Sequence, residues 1–122
     1  MFWIKRHLYY QVKRGEVIAT LIEEDKSLKK RCDALNHPRT LMGDFDVIEN
    51  CFKSLAEVLA PKRFLLPAHT AIVHLLEDME GGHTNVERRA FLEAATGAGA
   101  RKVFVSKART KLSKDQILNH DF

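Results

Sequence analysis

The chain has 122 residues and a mass of 14.0 kDa, which supports one hydrophobic core but not two lobes closing over a deep cleft. Its hydrophobic content of 45% and charged content of 30% exclude a disordered or fibrous protein, and no apolar run approaches the ~20 residues of a membrane-spanning helix. The net charge of +4, with a pI near 9.2, keeps nucleic acid among the candidate partners.

The amino-terminal region predicts a three-stranded meander. Residues 2–12 are rich in aromatic and β-branched types, and residues 16–24 repeat this pattern after a basic turn at Gly15. This arrangement predicts a β-hairpin. Residues 25–30 are polar and predict a turn, and we expect a third strand at 31–36.

Residues 46–59 predict an amphipathic helix. Its apolar residues recur at spacings of three and four and comprise Val47, Ile48, Cys51, Phe52, Leu55, Val58 and Leu59. Asp46 is the expected N-cap residue, and Glu49 stands three residues later, as in a capping box. We therefore expect one broad stripe of apolar side chains to face the core.

The second half predicts two strands with a helix between them. Residues 71–76 and 102–106 have the apolar, β-branched composition of buried strands. Helical spacing of small apolar residues over 85–96 predicts a helix that lies close to the sheet. The remaining residues, 107–122, form a polar tail with one short candidate helix at 113–119.

Glu87 has a local explanation at the start of the second helix. Thr84 precedes it by three residues, so the two side chains suit a capping box. Gly97 and Gly99 follow the helix instead of preceding one, which indicates a helix stop and not a phosphate-binding loop.

Two stretches add a resemblance to these patterns: HPRTLMGDFDVIENCF at 37–52 and TNVERRAFLEAATGAGARKVFV at 84–105 resemble consecutive stretches of the bacterial actin-like rod-shape protein family, MreB. The matching residues are Asp44, Phe45, Val47 and Glu49 in the first stretch, and Val86, Glu87, Arg88, Arg89, Ala90, Gly97, Ala98, Gly99, Ala100, Arg101 and Val103 in the second. The resemblance implies an α/β fold of the ribonuclease H-like, actin-like group, in which a three-stranded meander precedes two helix-strand units. Residues 1–106 would form this single subdomain, and 107–122 its tail.

The same resemblance implies a specific role for Glu87. In the family, the glutamate at this position helps to position the water that attacks the nucleotide's terminal phosphate. Catalysis in the family also needs an Asp-x-Gly-Thr phosphate loop in the first hairpin. The corresponding region of this chain, WIKRHLYYQVKRGEV, contains no aspartate. Because the second phosphate loop and the adenine-binding segment belong to another lobe, we expect no ATPase activity and no bound cofactor. Glu87 is then a helix-capping residue.

Three histidines and two cysteines are further candidates, for a metal site and for a nucleophilic thiol respectively. His69, His74 and His83 have no spacing that fixes them on one face, so we expect no metal site. Cys32 and Cys51 are far apart in sequence, and we expect them to be buried, reduced thiols with no nucleophilic role.

These expectations favour a non-catalytic interaction or regulatory protein linked to the bacterial actin-like cytoskeleton and cell shape. Its partner would be an actin-like filament protein or a second copy of the chain, and its compartment the cytoplasm, since the start of the chain lacks a signal-peptide pattern. Two alternatives remain: a residual nucleotide-binding ATPase fragment, and a nucleic-acid-binding module. The module would use the basic clusters at Lys26, Lys29, Lys30 and Arg31, at Arg88 and Arg89, and from Arg101 to Lys114.

Overall fold

The computed structural model describes residues 6–35, 44–61, 68–76, 85–106 and 110–119. Within these ranges the protein is a mixed α/β domain, as predicted, with a five-stranded mixed sheet and three α-helices. In chain order the elements are β1 (His7–Lys13), β2 (Glu16–Leu21), β3 (Lys26–Arg31), α1 (Phe45–Leu59), β4 (Thr70–Leu75), α2 (Asn85–Gly97), β5 (Lys102–Ser106) and α3 (Lys114–Leu118).

The strands are arranged in the order β3-β2-β1-β4-β5. The first three form an antiparallel meander, β4 lies parallel to β1, and β5 lies parallel to β4. Parallel neighbours need long crossovers, and α1 and α2 occupy the two crossovers of this sheet. The predicted succession of three strands followed by two helix-strand units is confirmed.

The predicted hairpin turn at Gly15 is confirmed, but the predicted position of the third strand is wrong. Gly15 has a φ of 78°, which favours glycine. The third strand is β3 at Lys26–Arg31, in the segment expected to be a turn, while Asp33–Leu35 forms a short 3₁₀ turn. β3 is an edge strand whose side chains are mostly exposed, so it carries lysines and shows no apolar alternation.

The predicted helix α1 is confirmed, but its N-cap and part of its predicted core stripe are not. Asp44, not Asp46, is the N-cap, because its extended backbone lets its side chain accept a hydrogen bond from the Val47 amide at 3.3 Å. Asp46 lies inside the first turn, so the expected capping box with Glu49 has no N-cap partner. Val47 and Val58 are exposed, at 44% and 66%, because they lie at the margins of the helical face that the sheet covers.

The main core lies between one face of the sheet and the two long helices; we call this sheet face the first face. Leu8, Tyr10 and Val12 alternate toward it along β1. On the helical side, the Phe52 ring stacks on Tyr10, with ring centroids 4.4 Å apart, and lies 6.3 Å from Phe91. These aromatic contacts join β1, α1 and α2 in one core.

The opposite face of the sheet, the second face, carries a smaller core. It consists of Tyr9, Ile22, Ile72, Leu112 and Ile117, all buried. The last two come from the described segment at 110–119, within the predicted polar tail that had a short candidate helix at 113–119. The predicted short helix is confirmed as α3, and its start is fixed by a capping box between Ser113 and Gln116.

The carboxyl end of α2 is a helix stop, as predicted. The Ala98 amide donates to the Ala94 carbonyl, and the Ala100 amide donates back to Ala95. Gly99 between them has a φ of 104°, a backbone conformation that side chains with a Cβ rarely adopt. The chain therefore leaves α2 sharply and enters β5 after four residues.

Candidate functional site

Glu87 lies at the edge of the sheet where α/β proteins commonly bind ligands. It occupies the first turn of α2, which follows the carboxyl end of β4, and its side chain is half-buried. Ligands of open α/β sheets bind outside the carboxyl ends of the strands. Thr84, the expected capping partner, lies outside the described residues. Nearby, the Arg88 guanidinium donates a hydrogen bond to the Asn85 side-chain oxygen.

A basic groove opens at the same edge, beside the β1–β2 turn. Its volume is about 400 Å³, and it is lined by Arg14, Gly15, Glu16, Lys29, Arg31 and Asp33. The Lys29 ammonium lies 2.9 Å from the Glu16 carboxylate, and the Arg31 guanidinium lies 3.2 Å from Asp33. The lining therefore has three cations and two carboxylates, which leaves only a small positive excess. Ion pairs at the surface contribute roughly 0 to 1 kcal/mol each to the free energy of unfolding.

The β1–β2 turn is also where the resemblance would place a phosphate loop. β1 and the Arg14-Gly15 turn contain no carboxylate, and the first acidic residue after them, Glu16, is paired with Lys29. A metal-bound triphosphate needs carboxylate or other oxygen ligands that are available to the metal. The groove at this turn instead offers paired charges and a single φ-positive glycine.

A second pocket lies at the opposite edge, where the parallel strands begin. It encloses about 200 Å³ between the carboxyl ends of α1 and α2, and its lining includes Arg6, Lys53, Glu57 and His69. The Arg6 guanidinium donates a hydrogen bond to the Pro61 carbonyl at 2.8 Å, which satisfies an acceptor beyond the end of α1. No sequence pattern indicated Arg6, which lies next to His69 only because β1 pairs with β4.

His69 is neutral at physiological pH. Burial, together with the smaller effect of the nearby positive charge of Arg6, lowers the pKa of its imidazole from 6.5 to about 4. Its Nε2 atom is buried and makes no hydrogen bond to any part of the chain that the structure describes. This histidine is therefore a buried base that a proton reaches only at acid pH.

The structure places His69 and His74, two of the three candidate metal ligands, on different sides of the sheet. His74 lies two residues after Ile72 on β4 and therefore shares the second face with it, whereas His69 lines the pocket beside the helices of the first face. His83 lies outside the described residues. Across the described ranges, no group of three His, Cys, Asp or Glu side chains has the proximity to hold a metal ion.

His74 instead belongs to a buried hydrogen-bond network that sequence reasoning missed. The Tyr9 hydroxyl lies 2.6 Å from the His74 Nδ1 atom and accepts a hydrogen bond from the Leu112 amide at 3.0 Å. The hydroxyl has one proton and two acceptor lone pairs, so it can accept from Leu112 and still form a hydrogen bond with Nδ1, whose direction follows the imidazole tautomer. The network ties the carboxy-terminal segment to the sheet, and its 103-residue sequence separation left no local signal.

The two cysteines are buried, as expected, and their thiols are free. They are far apart in sequence but close in space, since the Cys51 thiol donates a hydrogen bond to the Cys32 sulfur across 2.9 Å.

The basic clusters are divided among separate elements. β3 carries the first, α2 the second, and the third begins just before β5. On β5 the Lys102 ammonium lies 5.3 Å above the Phe104 ring, a cation–π contact.

Comparisons with known proteins add no relative. No model of a known protein family matches the chain, and no curated protein matches it significantly. Among the residues that the structure describes, no helix is long and apolar enough to cross a bilayer.

Proposed function

We propose that the chain is a ribonuclease H-like subdomain of the actin-like kind that binds a protein partner and does not hydrolyse a nucleotide. The sheet order β3-β2-β1-β4-β5, with its antiparallel meander and two parallel strands, supports this fold. The two stretches that resemble the MreB family fall on the start of α1 and on α2 through β5. The sequence similarity of these stretches and the order of the elements thus both support the same proposed fold.

The observation that carries the non-catalytic part of the proposal is the β1–β2 turn. Phosphoryl transfer depends on a set of groups that hold the metal and cradle the phosphates. In this protein the turn has Arg14 and Gly15, and the carboxylate that follows them is engaged by Lys29. β1, at His7–Lys13, has no acidic residue that could hold a metal ion at the same edge as Glu87.

The outer surface of the helices supports a protein partner. Val58 on α1 and Val86 on α2 are the most exposed large hydrophobic side chains among the described residues, at 66% and 77%. Both helices cover the first face of the sheet, so the two valines belong to the same helical layer. Val58 lies near the carboxyl end of α1 and Val86 at the start of α2, so they are two separate apolar positions, and we propose that a partner covers the helical layer from one to the other. We propose an actin-like filament protein as that partner, with a second copy of the chain as the other candidate.

Co-sedimentation tests this proposal. Purified chain would be centrifuged with and without polymerised MreB-type filaments, and we expect saturable pelleting only with filaments. Val58→Asp and Val86→Asp should each weaken pelleting at least about fivefold, since each places a charge on the apolar contact. Lys29→Ala, on the edge strand, is the matched control and should pellet normally.

Two outcomes would contradict the filament proposal. If the chain stays in the supernatant at every filament concentration, the proposed partner is wrong. If it sediments equally without filaments, and the valine variants abolish this, the surface binds a second copy of the chain.

Nucleic-acid binding is the second candidate, and the basic groove favours it. Arg14, Lys29 and Arg31 line it, while Lys26 and Lys30 lie on the other face of β3 because side chains alternate along a strand. Glu16 and Asp33 oppose nucleic-acid binding, because their carboxylates pair with Lys29 and Arg31. Affinity for a labelled single-stranded oligonucleotide that falls steeply with salt and is lost in Lys29→Ala would support this candidate over the filament contact.

A further inference from the structure

Cys32 and Cys51 form a close pair of thiols in the core. Cys32 follows β3 directly, where its amide donates to the Gly15 carbonyl at 2.8 Å and its carbonyl accepts from the Leu35 amide at 3.0 Å. Cys51 lies in the second turn of α1, on the helical face that packs against the sheet. The two sulfur atoms are 2.9 Å apart, and both side chains are buried.

The separation of the sulfur atoms is close to that of a covalent bond. A disulfide has an S–S distance of about 2.05 Å, so the sulfurs need to approach by roughly 0.9 Å. Cys32 is held by two backbone hydrogen bonds and Cys51 by its helix, so the folded chain keeps the two thiols close together. The folded chain therefore presents each thiol to the other at a high effective concentration.

We propose that Cys32 and Cys51 form a reversible disulfide that links the end of β3 to α1, with a low-molecular-weight disulfide such as oxidised glutathione as the oxidant. One cysteine thiolate attacks oxidised glutathione, which forms a mixed disulfide and releases one glutathione. The second cysteine thiolate then attacks the protein sulfur of that mixed disulfide and releases the other glutathione. The two cysteines lose two electrons and two protons, and the two glutathione thiols that form gain them.

The same burial makes the exchange slow. Burial, together with the hydrogen bond with Cys51, raises the pKa of the Cys32 thiol to about 12, so little thiolate exists in the folded state at neutral pH. Exchange then proceeds through local opening between the end of β3 and α1, and either redox state persists once it is formed. A closed disulfide ties together residues 19 positions apart and restricts the unfolded chain.

This inference is independent of the proposed protein partner, because it depends only on the thiol pair. The test equilibrates the chain in buffers of increasing ratio of oxidised to reduced glutathione, once folded and once in urea. Free thiols are trapped by alkylation and counted by mass spectrometry. We expect the folded chain to be half oxidised at a ratio at least about tenfold lower than the unfolded chain, with the mass of an intramolecular disulfide. The oxidised chain should melt roughly 5 to 15 °C above the reduced chain.

Three results would overturn the proposal: half-oxidation at the same ratio in both states, oxidation that stops at mixed disulfides with glutathione, or disulfide-linked dimers on a non-reducing gel. Cys51→Ala is the matched control, and its melting temperature should not respond to the glutathione ratio. If this variant does not fold, the comparison of folded and urea-unfolded wild-type chain decides the question by itself.

Discussion

The two faces of the sheet are stabilised in different ways. The first face is covered by α1 and α2 and buries an almost wholly apolar core around Phe52. The second face is covered in part by the short helix α3 and buries polar atoms of Tyr9 and His74 together with a few aliphatic side chains. The first face therefore depends on area and shape, whereas the second depends on the satisfaction of specific hydrogen bonds. Four changes test this difference.

The largest expected effect is at the centre of the first face. Phe52 is fully buried and contacts the rings of Tyr10 and Phe91, so Phe52→Ala leaves a large cavity. We expect a loss of about 3 to 5 kcal/mol in the free energy of unfolding, measured by urea denaturation. Val58→Ala on the exposed side of the same helix is the control. Comparable losses for the two variants would contradict the assigned core.

On the second face, Tyr9→Phe removes one oxygen atom from the hydrogen-bond network. The change leaves the Leu112 amide and the His74 Nδ1 atom without their partner, so we expect a loss of roughly 1 to 3 kcal/mol and faster hydrogen exchange at Leu112.

Tyr10→Phe is the matched control for this change. Tyr10 is the next residue and equally buried, but it faces the first core, and its hydroxyl makes one long hydrogen bond of 3.3 Å to the Phe52 carbonyl. We expect its removal to cost less than about 1 kcal/mol. Equal losses for the two tyrosine variants would remove the distinction between the faces.

His69 makes the edge of the first face sensitive to acid. Its pKa is about 4 in the folded chain and 6.5 unperturbed, so the unfolded chain binds more protons in this range and stability falls as pH decreases. We expect His69 to account for a loss of about 2 kcal/mol between pH 7 and pH 5. Urea denaturation of His69→Gln at both pH values should show a correspondingly smaller change, and an unaltered change would show that His69 is not the titrating group.

The smallest expected effect is at the end of α2. Gly99→Ala forces a Cβ into a φ of 104°, although the surrounding space is open, so we expect backbone strain of about 1 kcal/mol without a packing clash. Glu93→Ala, at an exposed position of the same helix, should change the free energy of unfolding by less than about 0.5 kcal/mol. No difference between the variants in thermal or urea unfolding would show that the helix stop tolerates a Cβ.

Sequence patterns predicted the first face well and the second poorly. The alternation along β1 and the helical spacing of α1 reflect burial of whole faces, which leaves a periodic signal. β3 lacked that signal because an edge strand exposes its lysines. The predicted core stripe of α1 included the exposed Val47 and Val58 because periodicity does not show where the neighbouring sheet ends. The contacts between Tyr9 and Leu112, between Arg6 and His69, and between the two cysteines depend on distant parts of the chain meeting in space.

The central claim, that the chain does not hydrolyse a nucleotide, is tested most directly at the sheet edge formed by the β1–β2 turn and the start of α2. Magnesium and ATP would be titrated into isotope-labelled chain while the amide shifts of Arg14 to Glu16 and of Glu87 to Arg89 are followed, together with release of phosphate. Inorganic phosphate in place of ATP controls for weak anion binding by the basic groove. We predict small, non-saturating shifts that match those with phosphate, and no phosphate release. Saturable shifts at both segments that require magnesium, accompanied by phosphate release, would contradict the account.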